Sequence, residues 1–132
     1  MWGGLLSSLY HTLMCCYRYF FLRRISYKTG IQIPPNTFGK GLQIWHYGSI
    51  VINPSAKVGD YATIYPGVVI GAKENGVPNI GDHCFIGAGC KILGGVRVGN
   101  NVTIAPNAVV VKDVPDNCVV AGVPAKIIRY KN

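Results

Sequence analysis

Residues 80–110 read IGDHCFIGAGCKILGGVRVGNNVTIAPNAVV, and every sixth position of this stretch is isoleucine or valine. These positions, with those that precede the stretch at the same interval, are Ile52, Val58, Ile64, Ile70, Ile80, Ile86, Ile92, Val98, Ile104 and Val110. Four residues after most of them comes a second set of small or β-branched side chains: Ala56, Ala62, Val68, Cys84, Cys90, Val96, Val102, Ala108 and Val114. A repeat of constant length indicates a solenoid whose units stack on one another.

The hexad predicts short strands joined by tight corners, with three strands in each triangular coil. Residues eighteen apart then stack about 4.8 Å apart, so Ile80 should lie against Val98. An α-helix would need a period of 3.6, and an antiparallel sandwich would need alternating runs with irregular turns. We therefore predict an all-β fold, a left-handed parallel β-helix of hexapeptide repeats, with an N-terminal helix.

The rhythm is interrupted in three places. Residues 71–79, GAKENGVPN, exceed a hexad and predict an outward loop, a common location of function on rigid scaffolds. Residues 31–50 carry aliphatics in a shifted register, which indicates the first coil, and residues 114–132 leave the rhythm, as a terminal cap does. Glycine follows the aliphatic at positions 59, 71, 81, 87 and 99, where a corner needs unusual dihedrals or close backbone approach.

Residues 1–29 are apolar and aromatic and predict a helix with a basic end, so that the β-helix domain with its C-terminal cap spans 30–132. Two interpretations stay open for this helix. It packs on the domain or on a neighbouring subunit, or residues 1–24 contact a membrane surface. In the second case the side chains near the lipid boundary are Trp2, Tyr10, Tyr17, Phe20 and Phe21. A membrane span ranks third, because Ser7, Ser8, His11 and Thr12 interrupt the apolar face.

The formal net charge of +8 favours a polyanionic partner, which phosphates of a coenzyme, an anionic membrane or a nucleic acid would all satisfy. We do not expect nucleic-acid binding, since no recognition motif accompanies the charge. Five cysteines without a secreted framework predict a cytoplasmic protein, peripheral at the inner face of the membrane if the helix meets lipid. Cys84 and Cys90 fall on small-residue positions and are interpreted as packing residues.

The chain resembles the hexapeptide-repeat acyltransferases from about Gly30 to Arg129. IGAGCKILG at 86–94 and AGVPAK at 121–126 are similar to segments of serine acetyltransferases and of galactoside and maltose acetyltransferases. The resemblance implies a homotrimer with active sites between adjacent β-helices, and acetyl-coenzyme A as donor with no metal. It places coenzyme contacts at Ala88, Pro106, Val111, Lys112, Lys126 and Arg129. Independently of the family, an edge of exposed backbone groups suits an amide-bearing arm, and basic side chains bind phosphates.

Acetyl transfer to a hydroxyl needs a base to remove the acceptor proton, and imidazole is suited to neutral pH. Of three histidines, His11 belongs to the N-terminal segment and His83 sits on an outward hexad position. His46, in IWHYGS, aligns with the histidine of the DHxxG segment of serine acetyltransferases. The resemblance thus makes His46 the catalytic base, against the alternative of a histidine that hydrogen-bonds at a corner.

Departures from the serine acetyltransferase pattern bear on the acceptor. Trp45 stands where that family has Asp before the histidine, and Gly76-Val77 stand where it has Arg-His. Loss of these charged groups argues against a zwitterionic amino acid, and Trp45, Tyr47 and Tyr65 suit stacking on a sugar. We therefore expect a sugar O-acetyltransferase similar to the small enzymes of surface-polysaccharide biosynthesis.

The alternatives are a serine O-acetyltransferase-like enzyme with a different small acceptor, or a non-catalytic β-helix scaffold. A zinc hydratase of the γ-carbonic-anhydrase type fits poorly, because the three histidines do not converge at a plausible spacing.

Overall fold

The chain opens with one long helix. The computed structural model describes residues 2–132, and side chains from Gly4 onward, so the prediction for the Trp2 side chain falls outside the described residues. Helix α1 spans Trp2–Thr29. It ends at Gly30, whose φ of 73° and N–H bond to the Ser26 carbonyl, at 2.9 Å, form a helix C-terminal turn that glycine adopts without steric cost.

Short strands fill the rest of the chain. They are β1 (Ile31–Gln32), β2 (Gln43–Ile44), β3 (Ile50–Ile52), β4 (Lys57–Val58), β5 (Thr63–Ile64), β6 (Val69–Gly71), β7 (Asn79–Ile80), β8 (Phe85–Ile86), β9 (Lys91–Leu93), β10 (Arg97–Val98), β11 (Thr103–Ile104), β12 (Val109–Val110), β13 (Cys118–Ala121) and β14 (Lys126–Tyr130). From β2 to β12 every third strand joins the same sheet, so three parallel sheets wrap the chain into a coil of about five turns. This architecture confirms the predicted left-handed parallel β-helix with an N-terminal helix.

The predicted stacking is confirmed residue by residue. Ile80 pairs with Val98, Ile86 with Ile104 and Ile92 with Val110, each in a parallel register. The aliphatic and small hexad positions are buried in one continuous core. The core is thus a set of side-chain ladders, in which each aliphatic residue packs between its counterparts in the coils before and after.

The structure confirms the prediction that Cys84 and Cys90 are packing residues. Cys84 and Cys90 are 1% and 0% exposed within the core. Burial raises the pKa of both thiols, which disfavours the thiolate that a nucleophile would need.

One corner of the coil is held by a ladder of carboxylate and amide oxygens. The backbone N–H of Asp60 donates to Asp82 Oδ1, that of Asp82 to Asn100 Oδ1 and that of Asn100 to Asp116 Oδ1, at 2.7–2.8 Å. The glycine before Asp60, Asp82 and Asn100 leaves room for the next coil: a Cβ at Gly81 would lie 2.9 Å from the Gly99 carbonyl. Close approach, rather than unusual dihedrals, therefore explains glycine at this corner.

The interruptions form a loop and a cap, as predicted. Lys73 and Gly76 form an antiparallel bridge at the base of the inserted loop. At the other end β14 turns back and pairs antiparallel with β13, which covers the last edge of one sheet. Helix α1, in contrast, contacts the solenoid at its C-terminal end, against β1. It does not lie along the solenoid of its own chain, so of the packing interpretation only packing on a neighbouring subunit stays a prediction.

Candidate active site

The histidine predicted to be the base lies on an enlarged corner of the first coil. Ile44 pairs with Ile64 and Val51 with Val69, so the first coil uses two more residues than the second to turn this corner. The extra residues displace the chain outward, and Trp45, His46 and Tyr47 are exposed. The imidazole is therefore presented to solvent rather than hydrogen-bonded inside the corner.

Aromatic rings continue from His46 along the neighbouring coils. The His46 ring lies 5.9 Å from that of Tyr65, and Tyr65 lies 5.3 Å from Phe85. Trp45 is 60% and Tyr47 90% exposed. Such rings offer flat apolar surfaces to a ligand or to another subunit, and both uses fit the exposure.

Three of the six predicted coenzyme contacts lie on this same corner, and two of them are in turns that stack directly. The Asn107 N–H donates to the Ala88 carbonyl at 2.8 Å, which stacks the Ala88 turn directly against the Pro106 turn. The Gly89 N–H donates to the Pro66 carbonyl in the same way, one coil nearer His46. Peptide groups thus run in steps along the corner that begins at His46.

Of the remaining four predicted contacts, one lies at the end of the same corner and three lie on other parts of the surface. Lys126 pairs with Ala121, at the upper end of the His46 corner, whereas Arg129 pairs with Val119 further along β13. Val111 and Lys112 follow β12 and occupy the next corner of the coil. A single chain therefore brings together Ala88, Pro106 and Lys126 on the His46 corner. It does not bring Val111, Lys112 and Arg129 to that corner.

The other two histidines lie apart from this corner. His83 is exposed on the corner of the carboxylate ladder, where its ring stacks on Tyr61 at 5.1 Å and 12°. His11 lies on α1 and contacts Tyr10. Within residues 2–132, no three His, Cys, Asp or Glu side chains gather into a group that could hold a metal ion.

Sequence reasoning missed two features of these corners. The enlarged turn was signalled by Ile44 and Ile64, which stack although they are twenty positions apart instead of eighteen. The carboxylate ladder was signalled by Asp or Asn directly after the corner glycine, as in Val-Gly-Asp at 58–60 and Val-Gly-Asn at 98–100.

A three-sided parallel coil of hexads with a terminal antiparallel cap defines the class of protein. The chain is similar to the hexapeptide-repeat β-helix acyltransferases over nearly its full length. The profile of the family described as Bacterial transferase hexapeptide (six repeats) matches residues 78–112.

Relatives of the chain within that class include serine acetyltransferases. The enzyme of Staphylococcus epidermidis is 40% identical over 140 residues, covering 99% of this chain and 64% of the relative. That of Synechococcus elongatus is 41% identical, covering 76% of this chain and 43% of the relative. These relatives favour the serine acetyltransferase-like alternative over the sugar O-acetyltransferase that we expected first.

Solved structures of serine acetyltransferases are also similar to this chain. Serine acetyltransferase of Brucella abortus in complex with coenzyme A superposes with a TM-score of 0.81 at 36% identity, covering 94% of this chain and 52% of that chain. The Neisseria gonorrhoeae enzyme in complex with serine gives 0.76 at 36% identity, covering 92% and 51%. The chain thus spans about half the length of these solved relatives.

Among the described residues, no helix has the length and apolar character needed to cross a bilayer.

Proposed function

We propose that this protein is an acetyl-coenzyme A-dependent O-acetyltransferase of the serine acetyltransferase type, with His46 as general base. The observation that carries the proposal is the enlarged corner at which His46 is held exposed, at the start of a row of stacked peptide turns. Support also comes from the similar Brucella abortus protein, which was solved with coenzyme A.

The chemistry requires one proton transfer and one displacement. Neutral His46 accepts the proton of the acceptor hydroxyl while its oxygen attacks the thioester carbonyl carbon of acetyl-coenzyme A. The tetrahedral intermediate then collapses, the carbon–sulfur bond breaks, and the coenzyme leaves as a thiolate that takes up the proton. Direct transfer suffices, because binding both substrates in one cleft supplies proximity without an acyl-enzyme.

The donor is proposed to lie along the steps at Ala88 and Pro106, which present backbone groups to the amides of its pantetheine arm. Lys126, at the upper end of the same corner, is proposed to bind a phosphate of the coenzyme. Val111, Lys112 and Arg129 lie elsewhere on the same chain. They reach the donor if a second β-helix faces the first, and this favours the homotrimer with shared sites.

The acceptor is proposed to be a small hydroxyl compound other than serine. Serine carries an ammonium and a carboxylate, and each needs a charged or polar partner when it is desolvated. The residues that flank His46 are Trp45 and Tyr47, which are uncharged. Their exposed rings favour a sugar as second candidate, because aromatic faces pack against the apolar faces of sugar rings.

The catalytic assignment is tested by two matched substitutions. His46→Ala should lower turnover by about a hundredfold or more, since general base catalysis contributes on that scale. His83→Ala removes another exposed histidine, from a different corner, and should leave turnover within about twofold. The measurement is release of coenzyme A thiol, with circular dichroism to verify the fold. Equal effects of the two substitutions would remove His46 from the mechanism.

The scaffold alternative makes a different prediction about the donor. Isothermal titration calorimetry with coenzyme A should show saturable binding that survives His46→Ala. No heat at about millimolar coenzyme A would favour the scaffold. If binding is present, a thiol-release assay with serine, neutral amino alcohols, hexoses and nucleotide sugars then identifies the acceptor.

A further inference from the structure

Helix α1 carries an unusually exposed apolar surface. Nine of its large apolar side chains between residues 5 and 21 are exposed by half or more: Leu5, Leu6, Leu9, Tyr10, Leu13, Tyr17, Tyr19, Phe20 and Phe21. Contiguous apolar surface of this kind marks a site of interaction. The helix needs a partner that the solenoid of the same chain does not provide, because their contact is at β1.

Between residues 4 and 18 the apolar side chains are sorted to one side of the helix, whereas Tyr19 and Leu22 fall on the other side. At about 100° per residue, those of residues 4–18 fall into two arcs. The polar or small members of one arc, about 140° wide, are Gly4, Ser7, Ser8, His11, Thr12, Cys15 and Arg18. The members of the other, about 180° wide, are Leu5, Leu6, Leu9, Tyr10, Leu13, Met14, Cys16 and Tyr17, and Phe20 and Phe21 extend it. We call the second set the apolar arc.

The orientation of the helix directs this arc away from the solenoid. Ser26 and Thr29, which continue the polar side, are half-buried where the helix meets the first coil. A cavity of about 410 Å³ against Pro34 is bordered by Leu22 and Ser26 on the polar side of the helix. Arg23 and Tyr27, at the near edge of the apolar side, also border it. The apolar arc therefore faces outward, where a large flat surface has access to it.

Basic residues continue the apolar arc towards the domain. Arg24 and Lys28 fall within its angular range and Arg23 at its border, and all three are exposed. Arg23 is held by hydrogen bonds from its guanidinium to Tyr19 Oη at 3.4 Å and Tyr27 Oη at 3.1 Å. One side of α1 is thus apolar over its first part and cationic over its last two turns.

We propose that this side of α1 lies in the surface of an anionic bilayer, parallel to the membrane plane. The apolar arc occupies the boundary between headgroups and acyl chains, and Arg24 and Lys28 contact lipid phosphates. A second copy of the helix fits less well, because α1 contains no acidic residue to neutralise its cations. Helix α1 then holds the β-helix close to the membrane through its contact with the first coil.

Vesicle flotation of the full chain tests this proposal, with phosphatidylcholine vesicles that contain about one third phosphatidylglycerol or none. The wild-type protein should float with the anionic vesicles. Leu9→Gln with Leu13→Gln should lower the bound fraction about tenfold or more, whereas Ser8→Gln with His11→Gln on the polar arc should leave it unchanged. Arg24→Gln with Lys28→Gln should weaken binding about fivefold per cation, and added salt should reduce that difference.

Three results would overturn the proposal. The first is wild-type protein that stays unbound to anionic vesicles, and the second is equal binding by the two glutamine pairs. The third is a change in sedimentation mass for Leu9→Gln with Leu13→Gln in the absence of lipid, which would assign the arc to contact between copies. Circular dichroism of each variant verifies that the β-helix is retained, and the acetyl-transfer assay does not enter the test.

Discussion

The ladder Ile44–Ile64–Ile86–Ile104–Val120 permits a quantitative test of how the solenoid is stabilised, because its members share one chemistry and differ in position. Ile86 lies between two isoleucines and is 0% exposed, whereas Ile44 begins the ladder and is 39% exposed. Truncation to alanine at these two sites separates the contribution of a complete ladder position from that of a terminal one.

The expected losses follow from burial. Isoleucine to alanine at a fully buried site lowers the free energy of unfolding by about 2–5 kcal/mol, and contacts on both sides place Ile86→Ala at about 3–4 kcal/mol. Ile44 buries less area than Ile86 and contacts only one neighbouring coil. We therefore expect Ile44→Ala to lower the free energy of unfolding by about 1–2 kcal/mol. Ile86→Val, which removes one methylene, should fall at about 1 kcal/mol.

Guanidinium unfolding at a fixed protomer concentration measures these differences, since subunit association would otherwise shift the midpoints. The order of loss should be Ile86→Ala, then Ile44→Ala, with unchanged slopes. If Ile44→Ala cost as much as Ile86→Ala, the stability of a position would not depend on its two coil neighbours. The nearest-neighbour account of this solenoid would then be wrong.

Two further outcomes are expected. Gly81→Ala should destabilise the fold by about 2 kcal/mol or more in thermal melts, because its Cβ would strike backbone, whereas Gly4→Ala, with open space around it, should be neutral or stabilising by up to about 1 kcal/mol. Stability should fall as pH rises above about 8.5, because burial raises the pKa of Cys84 and Cys90 and the unfolded chain loses these thiol protons first. The fall should be shallower in Cys84→Ala with Cys90→Ala, and an unchanged slope would contradict the assignment.

The core was predictable from sequence because each hexad encodes the direction of its side chain. Ile80 and Val98 reveal their contact by spacing alone, and the register confirms it. The corners were less accessible, since the enlarged turn at His46 depends on which coils pair and not on a local motif. The spacing reveals the extra length only once Ile44 is known to pair with Ile64, twenty positions away.

The candidate site was predictable only in part, for a reason that lies in its geometry. Ala88 and Pro106 stack on the His46 corner, but Lys112 lies on the next one. A repeat pattern describes how one chain coils and contains nothing about how two coils face each other. The orientation of α1 could not be predicted from the sequence either. Its polar side, at Ser26 and Thr29, is the side that is half-buried at the first coil, whereas its apolar side is exposed.

Along the corner ladder, the charge of a side chain can change without a change in the backbone geometry of the coil. Four of the five acidic residues, Asp60, Asp82, Asp113 and Asp116, each accept a backbone N–H, so carboxylates are engaged by the fold while most cations stay in solvent. Asn100 fills the same role with a neutral amide. Exchange of Asp for Asn along this edge would therefore retune the field that an anionic ligand meets, one unit at a time, while the coil beneath keeps its geometry.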